Sequence, residues 1–499
     1  MSIANHLSKK QDKTRQPAVL VIGAGHHARR IYIPELINNS QIAHCKVVIL
    51  DVFQSAQSIA QYLLERDYTE RVDTYYLNPT ECKQPFNDIA LSRKLLKAYD
   101  FTAVIISTDP THHVDYAKWA LAHDLHILMD KPVSTRDGAV SNSRAFQLIE
   151  QDYRDLMDVY HESRSLFCLS TQRRYESGYN FVFEKLSEVA NTFNMPVTSI
   201  QAFHSDGVWI FPDEIMHQTM HPYNTGYGKL SHSGFHVLDI AWQFLEHGTP
   251  KVKMPDTLVA YASAIYPNGY VSSITPDDYR DYFGKYTTLH NLEHYQKSMK
   301  NFGEIDIMAN ITMKREGFAT ALIGVNLLHS SFSKRSWRVP ATDLYKGNGR
   351  VKHQSYVIEQ GPFQCIQIHN YQAVDEHDTD TGDESYSVGG KNHFDIYVFR
   401  NSEMFGENEP ALQVYSSVDI DDMYASQSSK LSNELAKHVM INEFLEGCHD
   451  IRGGKHTRDT VIVRNSITTY DVPVKMMAAL YESLVSERLH LTPTIERSI

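Results

Sequence analysis

Lys131-Pro132 closes the apolar run Leu125-His126-Ile127-Leu128-Met129-Asp130. The run reads as a buried strand, and the proline fixes the backbone and stops it. Upstream, Ala18-Val19-Leu20-Val21-Ile22 leads into a glycine-rich turn, Gly23-Ala24-Gly25-His26-His27-Ala28. Open α/β sheets bind ligands outside the carboxyl ends of their strands. A lysine at such an end sets a cation beside a dinucleotide. Hydride transfer from a secondary alcohol needs a group that favours the developing alkoxide and a route for the hydroxyl proton. A lysine can hydrogen-bond the reacting oxygen, and burial lowers its pKa toward neutrality. The plainer alternative is a strand-end lysine whose ammonium reaches solvent.

The glycine turn has its own chemistry. Gly23 permits a tight turn, Gly25 lets backbone approach a pyrophosphate, and Ala28 allows close helix packing. The helix start supplies free N–H groups for phosphates. His26 and His27 sit there, where the helix dipole disfavours an imidazolium, and so suit steric or hydrogen-bonding work. Asp51 ends the next strand. A carboxylate there accepts hydrogen bonds from ribose hydroxyls, which favours NAD over NADP; Arg29 and Arg30 leave NADP open.

Histidine is abundant, at 26 residues. His217/His221 and His232/His236 have the i, i+4 spacing that sets two metal ligands on one helix face. Asp206, Asp213 or Glu214 would add a carboxylate, but no motif fixes a third ligand, and no metal is expected. An imidazole also titrates near neutral pH, which suits His236 to proton transfer. The five cysteines, Cys45, Cys82, Cys168, Cys365 and Cys448, lack metal or redox spacing and read as reduced thiols.

The elements that position these residues follow from patterning. Short apolar runs alternate with helical periodicity from Ala18 to Ser170. Strands are expected at 18–22, 46–50, 103–107, 125–130 and 166–170. Helices are expected at 26–38, 55–64, 89–98 and 112–122. A further helix is capped by Ser134 or Thr135 and interrupted near Gln151 to Arg154. Thr108-Asp109-Pro110-Thr111 is a turn with helix-start chemistry. This pattern predicts a doubly wound parallel sheet. Beyond Ser170 the strands alternate as if one face were wet, at 304–313, 320–328 and 356–369. Helices are expected there near 179–190, 235–245, 434–446 and 472–486. Two stretches, 267–302 and the acidic 375–390, look like insertions.

The domains expected are a flexible tail at 1–16, a nucleotide-binding domain at 17–170 and an α+β domain at 171–499, whose last helices could pack back on the first. With 499 residues the chain is long enough for two cores. The formal net charge of −12 argues against a nucleic-acid binder. No apolar run reaches the roughly 18 residues that span a bilayer. The polar start lacks the apolar core of a secretory signal, so a cytoplasmic location is expected.

Several motifs in order resemble those of the Gfo/Idh/MocA oxidoreductase family, which includes glucose-fructose oxidoreductase and inositol dehydrogenase. They are the glycine turn; Thr108 to His113 with Ala117 and Ala120-Leu121; Asp130-Lys131-Pro132; Gln172-Arg173-Arg174-Tyr175; Gly228 to Asp239; and Ala479 to Ser483. The resemblance implies an α/β fold: an N-terminal Rossmann sheet, then an α+β domain with a mostly antiparallel open sheet. It implies an NAD(P)-dependent oxidoreductase acting at a carbinol or carbonyl carbon of a sugar, cyclitol or sugar derivative. Cofactor contacts are implied at Gly23, Gly25, His26, His27, Ala28, Asp51, Ser107, Thr108, His113, Asp130, Lys131 and Pro132. Lys131, His236 and His232 stand at the catalytic positions, and Arg173, Tyr175, Lys229, His232 and His236 at substrate positions. His232 departs from the family pattern, which carries aspartate there. That departure leaves a second function open, a non-catalytic dinucleotide-binding regulator; an NAD-using glycosidase or lyase is a third. A homodimer or homotetramer is implied as well.

Overall fold

The computed structural model describes residues 15–207, 210–218, 221–284, 289–333, 351–372, 386–406, 408–424 and 433–499. Most of the expected tail, to residue 14, lies outside the described residues, as does the 375–390 insertion up to residue 385. The chain divides into two compact units. One comprises Met1–Asp130, Asp158–Ser170 and Met440–Val463; the other comprises Lys131–Met157, Thr171–Val439 and Arg464–Ile499.

The first unit is built on six parallel strands: β1 (Gln16–Ile22), β2 (Lys46–Val52), β3 (Val72–Leu77), β4 (Tyr99–Ile106), β5 (His126–Asp130) and β6 (Phe167–Ser170). Their order, β3-β2-β1-β4-β5-β6, is that of a dinucleotide-binding sheet, reversing between β1 and β4. The inner strands are near-continuous aliphatic runs because helices cover both faces. β3 escaped the sequence reading. It is an edge strand buried only at its ends, and Val72-Asp73-Thr74-Tyr75-Tyr76-Leu77 shows no apolar run. The first helix opens at His26 and passes through a π-turn, Ala28–Tyr32, into Ile33–Asn38.

Two local expectations are corrected. The helix after Lys131 runs unbroken from Ala145 to Glu162, so there is no interruption near Gln151. Ser134 and Thr135 do not cap it. Ser134 donates to Asp152 and the Thr135 hydroxyl pairs with that of Ser231 at 2.9 Å.

The second unit carries a nine-stranded sheet. Its strands are β7 (Ser199–Gly207), β8 (Thr257–Ile265), β9 (Asp306–Arg315), β10 (Phe318–Leu328), β11 (Val351–Gln360), β12 (Gln364–Gln372), β13 (Phe394–Arg400), β14 (Leu412–Tyr415) and β15 (Ile495–Ser498). The order is β14-β13-β12-β11-β7-β10-β9-β8-β15, and every pairing except β7 with β10 is antiparallel. The stretch expected as one strand at 356–369 is two, β11 and β12, joined by a turn at Gly361.

Register lines up the covered face of this sheet in rows. Ile200, Ile358, Ile366 and Val398 form one row, and Ala202, Tyr356, Ile368 and Ile396 the next. Tyr179 of helix Ser177–Phe193 and Phe244 of helix Phe235–His247 pack on Tyr356 through ring contacts of 6.0 and 5.2 Å. The other face is wet, as its alternating pattern requires, but it also exposes Tyr261, Met308 and Leu322. The 267–302 insertion forms three short helices, Pro267–Ser273, Pro276–Phe283 and Leu292–Ser298. Their Tyr270, Val271, Tyr295 and neighbouring Met299 pack with Ile210, Ile215 and Tyr223 in a small core.

Candidate functional site

In the first unit, β1 and β4 carry the cofactor candidates at their carboxyl ends. The Gly23 amide donates to Leu50 O at 2.9 Å, and the Ser107 amide to Ile22 O at 2.8 Å. Gly23 has φ +89°, and a Cβ there would lie 2.4 Å from Ser107 O, so both backbone and space demand glycine. Gly25 differs: a Cβ on it would meet nothing within 4 Å. The turn therefore leaves open ground above Gly25, of the kind a pyrophosphate needs.

Asp51 Oδ2 accepts the Ala24 amide at 2.7 Å, and Oδ1 accepts the Val52 amide at 2.6 Å, so it buttresses the turn itself. Arg29 bonds Ala24 O and Ser58. Asp130 accepts hydrogen bonds from Tyr32 and, at 2.7 Å, from the Ser107 hydroxyl, with His27 Nε2 3.9 Å away. Burial pushes the Asp130 pKa up, but His27, the two hydroxyls and His113 outweigh it, and the net shift is downward. Asp130 is thus an anion tied to both flanks of the turn. His113 is fully buried, with Nε2 3.2 Å from Thr108 O. Asp109 accepts the Thr111 amide at 3.0 Å, the helix-start bond expected from the sequence. His26 is exposed at the helix start.

In the second unit, Lys131 and Pro132 are joined by a cis peptide. Lys131 Nζ donates to the backbone carbonyl of His232. His232 lies in a π-turn, Leu230–Gly234, which leads directly into the helix bearing His236. Such turns recur at functional sites because they reset which side chains share a face. Here the two rings meet different neighbours. His232 stacks on His221 at 4.8 Å and meets the edges of Tyr223 and Tyr227. His236 feels Arg173, Lys131, Lys437 and His204. Both imidazoles are buried and held well below their usual pKa. Burial is the main cause, followed by His221 for His232 and Arg173 for His236, with Lys131 adding to both. His236 Nδ1 and His232 Nε2 have no hydrogen-bond partner among the described residues.

Lys229 is buried and ion-paired with Asp206 at 3.0 Å. His204 lies 3.9 Å from the same carboxylate, and burial holds it neutral. Arg174 and Asp239 form a buried bidentate pair, closest contact 2.5 Å, and the Arg174 guanidinium covers the Tyr470 ring at 4.1 Å. That pair ties the Arg173 turn to the His236 helix. Tyr175 donates to Asn465 at 2.9 Å. The structure therefore groups Lys131, His232, His236, Arg173 and Lys229, while the described bond of Tyr175 leads toward the C-terminal segment.

His204 and Glu304 escaped the sequence reading. Glu304 is fully buried and accepts the Leu230 amide at 2.8 Å, and burial pushes its pKa up to about 7. Histidine and aspartate at alternate positions, His204 and Asp206, were the available signal, because alternate residues share a strand face. Nothing near Glu304 marked it. The shared helix face that the spacing of His217 and His221 suggests does not form: His217 ends a short helix and His221 is left-handed at φ +52°. Among the described residues no group of three or more His, Cys, Asp or Glu side chains is placed to hold a metal.

Sheet order, glycine turn and buttressed Asp130 together define a dinucleotide-binding fold. Residues 18–153 match the model of the oxidoreductase family GFO_IDH_MocA, NAD-binding Rossmann fold. No curated protein sequence matches the chain. Among solved structures it is similar to a levoglucosan dehydrogenase in complex with NADH (TM-score 0.57, 11% identity, covering 97% of this chain and 99% of that one). An oxidoreductase from Pseudomonas syringae gives 0.54, 11%, 97% and 100%. A UDP-N-acetylglucosamine 3-dehydrogenase from Acidithiobacillus ferrooxidans gives 0.51, 11%, 94% and 98%. At these identities the likeness is one of fold. Among the described residues no helix is long and apolar enough to cross a membrane.

Proposed function

We propose that the protein is an NAD-dependent dehydrogenase or reductase acting on a carbinol or carbonyl carbon of a sugar, cyclitol or sugar derivative. The observation that carries this is the buried, neutral His236, its Nδ1 unpartnered, in the field of Lys131 and Arg173. A bound NAD would take the hydride from the carbinol carbon at nicotinamide C4. His236 accepts the hydroxyl proton at Nδ1. Its low basicity is not a defect, because the cations that depress the imidazole also depress the alcohol and favour its alkoxide, keeping donor and acceptor matched. Lys131 hydrogen-bonds the reacting oxygen, steered by the His232 carbonyl. His232 thereby contributes its backbone in place of the carboxylate usual at that position.

Gly23, Gly25, Ala28 and the helix start at His26 and His27 would hold the pyrophosphate. Ser107, Thr108, His113, Asp130 and Pro132 would line the same nucleotide. Asp51 at the end of β2 favours NAD, and Arg29 is already engaged with Ala24 and Ser58 rather than held for a 2′-phosphate. Arg173, Lys229 and Tyr175 are the remaining substrate candidates. The likeness to a levoglucosan dehydrogenase and a sugar-nucleotide dehydrogenase supports a carbohydrate substrate. His232, where an acid is usual, favours a second reading, a non-catalytic nucleotide-binding regulator.

NADH absorbance over a panel of polyols, sugars and sugar acids separates the two. At least one compound should reduce NAD, and Lys131→Ala should lower kcat at least 100-fold, a loss of about 3 kcal/mol of transition-state stabilisation. NAD binding without turnover on any compound would leave the regulator.

A further inference from the structure

Arg173 sits in the 3-10 turn Gln172–Tyr175 and is only 6% exposed. Among the described residues its guanidinium makes no hydrogen bond or ion pair, and Nη1 is sealed from solvent without an acceptor. Burying an unpaired charge costs several kcal/mol, so a native chain rarely keeps one without a ligand to meet it. The nearest protein anions act only at a distance, and one of them, Asp206, is taken by Lys229.

Arg173 lines a polar cavity of about 60 Å³, room for a carboxylate group rather than for a whole sugar ring. The cavity is carved from the sheet by a change of row. Past the apolar rows on the covered face, the next row reads His204, Gln354, Asn370 and Phe394, and the one after it Asp206, Lys352 and Gln372. All but Asp206 line the cavity. His204 Nδ1 is also buried and unpartnered. Arg173 and His204 both act electrostatically on His236, the group assigned to proton transfer.

We propose that this cavity receives the carboxylate of an acidic sugar, a uronic or aldonic acid, with the Arg173 guanidinium as its bidentate partner. The inference rests on the dehydrogenase reading for the chemistry beside it. Planar guanidinium and planar carboxylate match in two parallel hydrogen bonds. The single charge of the Arg173 guanidinium matches that of a carboxylate monoanion rather than a phosphate dianion.

The test is calorimetry on the full chain with glucuronate, galacturonate and gluconate, against methyl glucuronate ester and glucose 6-phosphate. At least one acid should bind ten-fold or more tighter than the neutral ester and than the phosphate, and R173Q should erase that preference while leaving NAD binding intact. Equal binding of acid and ester, stronger binding of the phosphate, or a preference that survives R173Q overturns the assignment. Because acid and ester are compared on the wild-type protein, the result stands even if R173Q does not fold. NADH absorbance on the same compounds keeps the two readings apart. Turnover of neutral polyols without acid preference defeats the cavity assignment alone. Arg173-dependent acid binding with no turnover defeats the dehydrogenase alone.

Discussion

Gly23 and Gly25 are two residues apart in one turn, yet the structure gives them different work. Gly23 is glycine because its φ is positive and Ser107 O leaves no room for a Cβ. Gly23→Ala should therefore cost about 2 kcal/mol or more of stability, read as a lower denaturation midpoint with or without nucleotide. Gly25 has ordinary φ and empty space ahead of it. Gly25→Ala should leave stability within about 0.5 kcal/mol of wild type. It should still weaken NAD about ten-fold or more, some 1.4 kcal/mol, by intruding on the pyrophosphate. Equal effects of both changes on stability would deny Gly25 its place in the nucleotide site. The tight turn at Gly23 was legible in the sequence, because a glycine fingerprint between a strand and a helix has few uses, and the open space at Gly25 leaves room for the pyrophosphate expected there. The partners of Asp130 were not legible, since Tyr32 and Ser107 reach it only after the sheet has formed.

At the scale of elements, the π-turn before Phe235 sends His232 and His236 to different neighbours. A sequence read at helical spacing puts them on one face; the widened turn removes that geometry, and no motif announces it. Rows across β7, β11, β12 and β13 were equally hidden, because register depends on pairing and not on any one strand. What such burial implies for pH can be worked out. His204, His232 and His236 have folded pKa values below the ordinary 6.5. Their neutral burial therefore stabilises the fold above pH 6.5 and is lost as pH falls below it. Glu304 runs the other way: with a folded pKa of about 7 against an ordinary 4.5, its contribution is present below pH 4.5 and lost as pH rises through 7. Between these limits three imidazoles oppose one carboxyl, so these groups should lower stability from pH 6.5 to 5. His204→Asn should flatten that slope by up to about 1.4 kcal/mol per pH unit, measured by denaturant unfolding at each pH. An unchanged slope would mean that His204 is charged in the folded state.

At the scale of the whole molecule, the alternation that marked the second sheet from sequence also predicts a wet outer face, and part of that face is not polar. Tyr261 and Ile265 of β8, Met308 of β9 and Leu322 of β10 are exposed, Met308 by 62% and Leu322 by 54%. These three strands are hydrogen-bonded neighbours, so the residues belong to one continuous surface. Scattered apolar residues need no cover, but a patch across adjacent strands marks an interaction surface. A sheet face that meets a second copy of itself forms a closed, self-complementary contact, the commonest route to a homodimer. The protein should therefore run as a homodimer, or a tetramer built from such dimers, in sedimentation or light scattering. M308D with L322D should dissociate it, because each carboxylate would be buried without a partner if the contact formed. Both positions are exposed in the single chain, so the variant should keep its far-UV spectrum and NAD binding. A wild-type monomer, or an assembly unaffected by the double change, would assign that face to solvent.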